Sequence, residues 1–286
     1  MRHGASGLIS RASLFFESMK TITWSGFKKF VNDYEPFSFE VVKGKNLHHL
    51  RKNENRMYRM HCSLTQYFKK NIYLCDLGSF PGTFLRVLLH FGKGLNLRLT
   101  AAGLLINHGF QDAMSKLGID VLKVNLDPAH DGLLPGTENP DYNLFERREY
   151  FDIVIVSEVF EHMMNPSHLI KVAHDILRPD GILLVTTPNL AWIRNRVSLL
   201  CGRSPNFPIN EGILRPHTDR WRPHFRVYVL NEVSEVLRDK GFRILHTEYL
   251  DERNRNFNPI KGLLYSFPSF RHGLLILARK DSQVLR

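Results

Sequence analysis

Two glutamates and two histidines in this 286-residue chain have the residue types that proton transfer requires. Glu158, Glu161 and His162 follow an i, i+3, i+4 spacing, which would place them on one side of a helix. Because imidazole titrates near neutral pH, His162 or the distant His224 could accept a proton from a hydroxyl, with Glu161 orienting His162. Either histidine could equally hold a loop by hydrogen bonds, and Glu161 could cap a turn. The same group could instead bind a divalent cation through oxygen and nitrogen ligands.

A glycine-containing turn forms a second candidate site. It contains Asp76, Gly78, Ser79 and Gly82, and it lies between an apolar run and a helical apolar pattern. Glycine permits close approach of the backbone to a ligand, and the amides that begin a helix attract a carboxylate or phosphate. The turn therefore indicates a site for an anionic group, although a simple tight turn could have the same composition.

The elements that must position these residues begin at Ile72, where short apolar runs alternate with helical periodicity. This pattern predicts an α/β fold, Rossmann-like and doubly wound, with a mostly parallel seven-stranded sheet and helices on both faces. In such sheets, ligands bind outside the carboxyl ends of the strands. The predicted strands are 72–77, 97–106, 119–124, 151–156, 182–187, 242–248 and 273–278.

Two crossover helices have recognisable boundaries. The first is predicted to begin with Asn165 as N-cap and Pro166 in its first turn, and to end before residues 179–181, Pro-Asp-Gly. The second is predicted over about residues 231–240, with Gly241 as its C-terminal cap. Both helices would connect strands of the sheet.

Residues 1–70 are aromatic-rich and weakly periodic, so we predict a helical lid or appendage on a main domain of residues 71–286. A cap insertion is expected at about residues 190–228, and insertions of that length at a strand end are usually functional. Its amphipathic start, Leu190 to Leu200, either packs as a lid onto the domain or lies on a membrane surface.

The chain is basic, with 39 Lys and Arg against 28 Asp and Glu, for a net charge of +11. The excess concentrates in residues 43–61 and 215–226, which form either a solvated basic surface or a region that attracts an anionic substrate, nucleic acid or lipid headgroup. Three cysteines without a paired spacing indicate neither a disulfide framework nor a zinc site. No apolar run is long enough for a transmembrane helix, so we expect a cytoplasmic protein, with peripheral membrane contact as an alternative.

The glycine-containing turn resembles the first motif of class I S-adenosylmethionine-dependent methyltransferases. In that motif an acid precedes three glycines at alternate positions, and in this chain Phe80 replaces the middle glycine. Residues 151–162 and 177–189 are similar to the fourth and fifth strand region of that family. Residues 223–228 resemble the His-x-Arg-x-aromatic signature of bacterial sugar and quinone O-methyltransferases. The resemblance implies S-adenosylmethionine as cofactor, no metal ion, and methylation of a hydroxyl on a sugar or other small molecule, anionic or lipid-linked.

The resemblance also implies a role for individual positions. The turn would line the methionine and ribose part of the cofactor, Asp127 would meet the adenine amino group, and Leu105 stands where an acid normally binds the ribose hydroxyls. Asn107 is the nearest polar substitute for that acid. The implied cofactor-binding residues are Asp76, Gly78, Ser79, Gly82, Asn107, Asp127, Ser157 and Glu158. The candidate catalytic residues are His162, His224 and Glu161.

Two alternatives stay open on the sequence. The Glu-x-x-Glu-His string with a further histidine resembles the metal-dependent small-RNA terminal 2′-O-methyltransferases, and the basic charge would suit RNA. The second alternative is a binding protein that kept the fold without turnover, because Phe80 and Leu105 depart from the family pattern.

Overall fold

A computed structural model describes residues 22–41, 48–127, 143–206, 224–251 and 259–281. Within these ranges the chain forms a seven-stranded sheet of order β3-β2-β1-β4-β5-β7-β6, in which β7 runs antiparallel to β5 and β6. The predicted α/β, doubly wound and mostly parallel sheet is therefore confirmed. The strands are β1 (Tyr73–Leu77), β2 (Arg98–Gly103), β3 (Asp120–Lys123), β4 (Phe151–Ser157), β5 (Leu177–Pro188), β6 (Phe242–Leu250) and β7 (Gly273–Lys280).

Helices cover both faces of the sheet, as predicted, and each face has its own apolar core. One core buries residues of the helices before and after β1, and the other buries residues of the two crossover helices. The helices are α1 (Trp24–Asp33), α2 (His49–Lys52), α3 (Glu54–Leu64), α4 (Thr83–Phe91), α5 (His108–Lys116), α6 (Asn143–Glu146), α7 (Pro166–Ile176), α8 (Ile193–Leu200), α9 (Leu230–Asp239) and α10 (Pro259–Tyr265).

The topological switch point lies between β1 and β4. The chain leaves β1 toward β2 and β3 on one side and returns to β4 on the other, so the loops after β1 and β4 diverge at one edge. Leu77 of β1 pairs with Val156 of β4. The glycine-containing turn and the segment that follows Ser157 therefore lie at the same carboxyl edge, where doubly wound sheets bind ligands.

Helices α1 and α3 share the core of one sheet face. Phe27 and Val31 of α1 and Met60 of α3 are fully buried there, together with Leu85 of α4. The described part of residues 1–70 is thus helical and packed on the sheet, whereas residues 1–21 and 42–47 lie outside the described residues. The division into a lid and a main domain stays a prediction.

Most element boundaries agree with the predicted ones, and β5 differs most. Asn165 caps α7, its Oδ1 accepting a bond from His168 N at 3.1 Å, and α9 is followed by Gly241 with φ +79°. The predicted start of β5 at residue 182 is wrong, because Leu177 already pairs with Phe151 before a register shift. The Pro-Asp-Gly of residues 179–181 therefore lies inside the strand rather than in a loop.

The predicted cap insertion begins as a helix. Helix α8 follows β5, residues 207–223 lie outside the described residues, and the chain is again described from His224. Leu190 N donates to the carbonyl of Tyr228 at 2.9 Å, so the two ends of the insertion lie side by side. Among the described helices, none has the length and apolar character to cross a bilayer.

Candidate active site

The turn after β1 is held against the loop after β4. Gly78 has φ +80°, and a Cβ at this position would lie 2.3 Å from Cγ2 of Val159. Its amide donates to the carbonyl of Ala102 at 2.7 Å, which fixes the turn to β2. Glycine is required here because any other residue would combine an unfavourable φ with a collision between the two loops.

Gly82 is also required by packing. Its φ is +79°, and a Cβ would lie 2.8 Å from Sδ of Met114 in α5. Phe80, which replaces the middle glycine of the family motif, packs its ring against Phe39 and Phe110 at centroid distances of 6.0 and 5.6 Å. The off-pattern aromatic therefore joins the apolar packing around α5, and a Cβ on either glycine would meet protein atoms.

Two polar groups of the turn fit a bound ligand. The Ser79 hydroxyl is buried and has no hydrogen-bond partner among the described residues. Burial raises the pKa of the Asp76 carboxyl to about 8, so this side chain is protonated at neutral pH and can donate a hydrogen bond. An orphaned hydroxyl and a neutral acid beside the turn are suited to a polar, charged ligand such as the amino-acid end of S-adenosylmethionine.

The predicted adenosine-binding residues have structural partners. Both carboxylate oxygens of Asp127 accept bonds from backbone amides, from Met164 at 2.6 Å and from Asn165 at 3.2 Å. Asn107 caps α5, its Oδ1 accepting a bond from Phe110 N at 2.9 Å. Asp127 thus orders the loop before α7, and the role of either residue in cofactor binding stays a prediction.

Ser157 and Glu158, at the end of β4, are held by neighbours on two other elements. Ser157 Oγ and Thr186 Oγ1 are 2.9 Å apart, and Thr186 Oγ1 also donates to Glu158 Oε1 at 3.2 Å. Arg56 Nη1 of α3 lies 2.7 Å from Glu158 Oε2. Glu158 has φ +55° and precedes the 3₁₀ turn Phe160–His162, so the single helical side predicted for Glu158, Glu161 and His162 does not form.

Glu161, His162 and His224 converge beside the end of β5. Glu161 is completely buried, and its Oε1 lies 3.8 Å from Nε2 of His162 and 3.8 Å from Nε2 of His224. The two imidazole rings are 4.7 Å apart and nearly perpendicular, at 81°. Thr187 Oγ1 donates to Glu161 Oε2 at 3.0 Å, whereas Oε1 has no hydrogen-bond partner among the described residues.

The electrostatics of this cluster follow from burial. Desolvation, with the nearby charge of Glu158 as a smaller cause, raises the pKa of Glu161 well above its usual range. Desolvation and then the proximity of His162 lower the pKa of His224 to about 4. At neutral pH His224 is therefore a neutral imidazole, and burial favours the protonated form of the Glu161 carboxyl. One ligand atom from each residue lies within 4.8 Å of the others, a spacing that can hold a metal ion.

Backbone hydrogen bonds bring His224 to the cluster. The amides of Phe225 and Arg226 donate to the carbonyl of Glu161 at 2.7 and 3.2 Å. The histidine that is distant in sequence is thus held next to Glu161 by its own neighbours. Its exposed side-chain fraction of 23% leaves the ring accessible from solvent.

Sequence reasoning missed Arg56 and Thr187 as members of the site. Arg56 belongs to the basic stretch of residues 43–61, yet it forms an ion pair with Glu158, and Arg59 of the same stretch forms another with Glu248 at 2.7 Å. Part of that stretch is therefore internally neutralised rather than solvated. Lys43 and Lys45, and residues 215–223 of the second stretch, lie outside the described residues.

Two solved structures share the fold of this chain. The 1,6-didemethyltoxoflavin-N1-methyltransferase of Burkholderia thailandensis, solved with 1,6-didemethyltoxoflavin and S-adenosylhomocysteine bound, aligns with a TM-score of 0.51 at 16% identity, over 90% of this chain and 87% of that one. The (4+2)-cyclase SpnF aligns with a TM-score of 0.53 at 16% identity, over 90% and 92% of the two chains. Because a cyclase and a methyltransferase share this fold, the fold alone does not define the reaction.

The sequence identifies the family. Residues 47–247 match the model of a methyltransferase domain family. A ubiquinone biosynthesis O-methyltransferase of Ruegeria pomeroyi is 27% identical over 122 residues, which cover 41% of this chain and 42% of that relative, so the chain spans less than half of the curated relative it matches. The chain belongs to this methyltransferase domain family, which confirms the predicted class, the S-adenosylmethionine-dependent methyltransferases, and their cofactor.

Proposed function

We propose that this chain methylates a hydroxyl oxygen of a sugar or other small molecule, using S-adenosylmethionine. The observation that carries the proposal is the cluster of one buried carboxylate and two imidazoles at the carboxyl edge of the sheet. A nitrogen acceptor with a lone pair needs no base, whereas a hydroxyl gains from a group that takes its proton. The O-methyltransferase among the relatives also supports an oxygen acceptor.

The cofactor-binding residues in this proposal surround the switch point. Asp76, Gly78, Ser79 and Gly82 would hold the methionine end, Asn107 and Asp127 the adenosine, and Ser157 and Glu158 would flank the transferring group. Bound S-adenosylmethionine supplies a methyl group on a positively charged sulfur, which an aligned oxygen can displace. The protein then has to align the acceptor and exclude water, which accounts for much of the rate enhancement in reactions of this type.

In this proposal His224 or His162 would take the hydroxyl proton of the methyl acceptor. As the acceptor oxygen attacks, Nε2 of one imidazole would take up the hydroxyl proton. The depressed pKa of His224 keeps its ring unprotonated and able to accept. Glu161, whose Oε1 lies 3.8 Å from both Nε2 atoms, would orient the rings.

A second candidate is a metal-dependent methyltransferase, including one that acts on the 2′-hydroxyl of RNA. The cluster of three ligand atoms within 4.8 Å favours it, since a divalent cation there would stabilise the buried Glu161 carboxylate and lower the pKa of a bound hydroxyl. The net charge of +11 is compatible with RNA, and also with an anionic or lipid-linked glycan as acceptor.

Calorimetric titration with S-adenosylmethionine and S-adenosylhomocysteine, with and without Mg²⁺ or Mn²⁺, tests these proposals before an acceptor is known. Binding that needs no metal supports the small-molecule enzyme and calls for an acceptor screen among sugars and glycans. Mn²⁺ binding that Glu161→Gln abolishes, while the exposed-site variant Asp239→Asn retains it, supports the metal-dependent candidate. If no cofactor binds under any condition, both enzymatic proposals are contradicted, and the alternative of a binding protein without turnover takes their place.

A further inference from the structure

Helix α8 and the segment around α10 expose large apolar side chains on one surface. No residue of α8 is buried, and Leu200 is 87% exposed. Leu263 of α10 is 69% exposed. Soluble domains rarely expose several large apolar residues together without a partner. We call this the apolar–basic surface, and its exposed apolar members are Val197, Leu199, Leu200, Leu263 and Phe267.

Direct contacts join the two halves of the apolar–basic surface. The indole Nε1 of Trp192, just before α8, donates to the Tyr265 hydroxyl of α10 at 3.1 Å. The guanidinium of Arg196 lies over the ring of Phe270 at 5.0 Å. Helix α8 is therefore held beside the segment that carries Leu263 and Phe267.

The two segments of this surface carry charge of one sign. Residues 189–206 contain three arginines, Arg194, Arg196 and Arg203, and no Asp or Glu, and residues 262–278 contain Arg271 and likewise no acid. All three α8-side arginines are exposed. Leucines beside arginines, with a Trp and a Tyr that each have an apolar body and a polar tip, are the composition of segments that lie in the headgroup region of anionic membranes.

The end of β5 contacts both this surface and the candidate active site. Thr187 of β5 donates to Glu161, and two residues later the Asn189 side chain donates to the carbonyls of Ser269 and Arg271 at 2.9 Å each. The same strand end therefore holds the catalytic cluster and anchors the segments that carry the exposed leucines.

We propose that the apolar–basic surface docks this enzyme on an anionic lipid bilayer, with the active-site edge turned toward the headgroups. An RNA partner would use the arginines, but the protruding leucines would gain little from phosphates, whereas both residue types gain at a bilayer surface. The interaction is independent of methyl transfer and goes beyond the function proposed above.

Vesicle flotation of the full chain tests the surface. Vesicles of phosphatidylcholine alone are compared with mixtures of phosphatidylcholine and phosphatidylglycerol, and we expect binding to the anionic mixture that weakens as salt is raised. The double variant Leu199→Glu/Leu200→Glu should lower the affinity by about a hundredfold, about tenfold for each leucine removed from the interface. Leu117→Glu, the same change at an exposed leucine after α5, should have little effect.

Three results would overturn the inference. They are no flotation with either vesicle, an equal loss in Leu117→Glu, and tight binding of a single-stranded RNA oligonucleotide that displaces the vesicles and depends on Arg194 and Arg203. S-adenosylmethionine titration of the double variant separates this proposal from the function, because affinity for the cofactor should be unchanged. Vesicle binding by a chain that binds no cofactor would support the surface while removing the enzymatic proposal.

Discussion

Arg56 Nη1 lies 2.7 Å from Glu158 Oε2, and this ion pair joins helix α3 to the end of β4 at the switch point. Both side chains are largely shielded from water, so a change that removes one partner leaves the other charge poorly solvated. The N-terminal helices thus contact the loop that flanks the proposed cofactor site, and the pair offers a way to test whether they influence binding.

Replacing Arg56 with Met should weaken S-adenosylmethionine binding by about fivefold to tenfold, because unpaired Glu158 no longer holds the loop in one position. Calorimetry measures this directly. Arg59→Met removes the neighbouring pair with Glu248, and it should lower stability by about 1 kcal/mol or less without changing cofactor affinity. Arg56→Lys should recover part of the affinity, and equal losses in the Arg56 and Arg59 variants would contradict a local role for Arg56.

His224→Ala should lower kcat by a factor of about 10²–10⁴, with little change in the Kd for S-adenosylmethionine, if this imidazole takes the acceptor proton. His246→Ala, at a histidine whose side chain is 52% exposed on β6, is the matched control. Because a base acts in its unprotonated form and the pKa of His224 is about 4, the wild-type rate should fall only as the pH approaches that value. An unchanged kcat in His224→Ala would transfer the role to His162 or to a metal ion.

Asp76 should make the stability of the protein fall as pH rises. Its carboxyl has a pKa of about 8 in the folded chain and about 3.8 when unfolded, so between these values the folded state holds a proton that the unfolded state has lost. Stability then falls by about 1.4 kcal/mol per pH unit from this group. Asp76→Asn removes the titration. The free energy of unfolding of the variant, taken relative to that of wild type, should therefore rise by up to about 4 kcal/mol from pH 5 to pH 8.

Denaturant unfolding at the two pH values measures this difference. Asp239→Asn, at a carboxylate whose side chain is 71% exposed, serves as the control for changing an acid to an amide. A gap between Asp76→Asn and wild type that is the same at pH 5 and pH 8 would show that Asp76 is not protonated in the folded protein.

Gly78→Ala should destabilise the chain through two separable effects. The positive φ of Gly78 costs an alanine about 1 kcal/mol, and the contact at 2.3 Å with Val159 adds about 1–3 kcal/mol of overpacking. Gly118→Ala isolates the first effect, because Gly118 has φ +72° and a Cβ there meets no described atom within 4 Å. In a double-mutant cycle Val159→Ala should relieve the second effect, and additive losses would show that the loops do not collide.

Local sequence determined the sheet and the family. The strand Phe151–Ser157 contains the continuous apolar run of residues 153–156 because a parallel strand buried on both faces leaves no polar side. Helix α7 begins where Asn165 and Pro166 supply a cap and a preset φ. The start of β5 was missed because Leu177 joins the strand through pairing with Phe151, a contact that no local pattern encodes.

The sequence by itself determined the fold class, the family and the residue types of the site. The tertiary structure decided which of those residues meet. Glu161 and His224 are brought together by backbone bonds from Phe225 and Arg226, which lie 64 and 65 residues after Glu161 in the chain. Arg56 reaches Glu158 from a helix that precedes the sheet. It also packed Gly82 and Phe80 against α5. The periodicity of apolar residues indicates the secondary structure that a segment forms with its neighbours in sequence. The contacts of a side chain depend instead on how elements distant in sequence pack together.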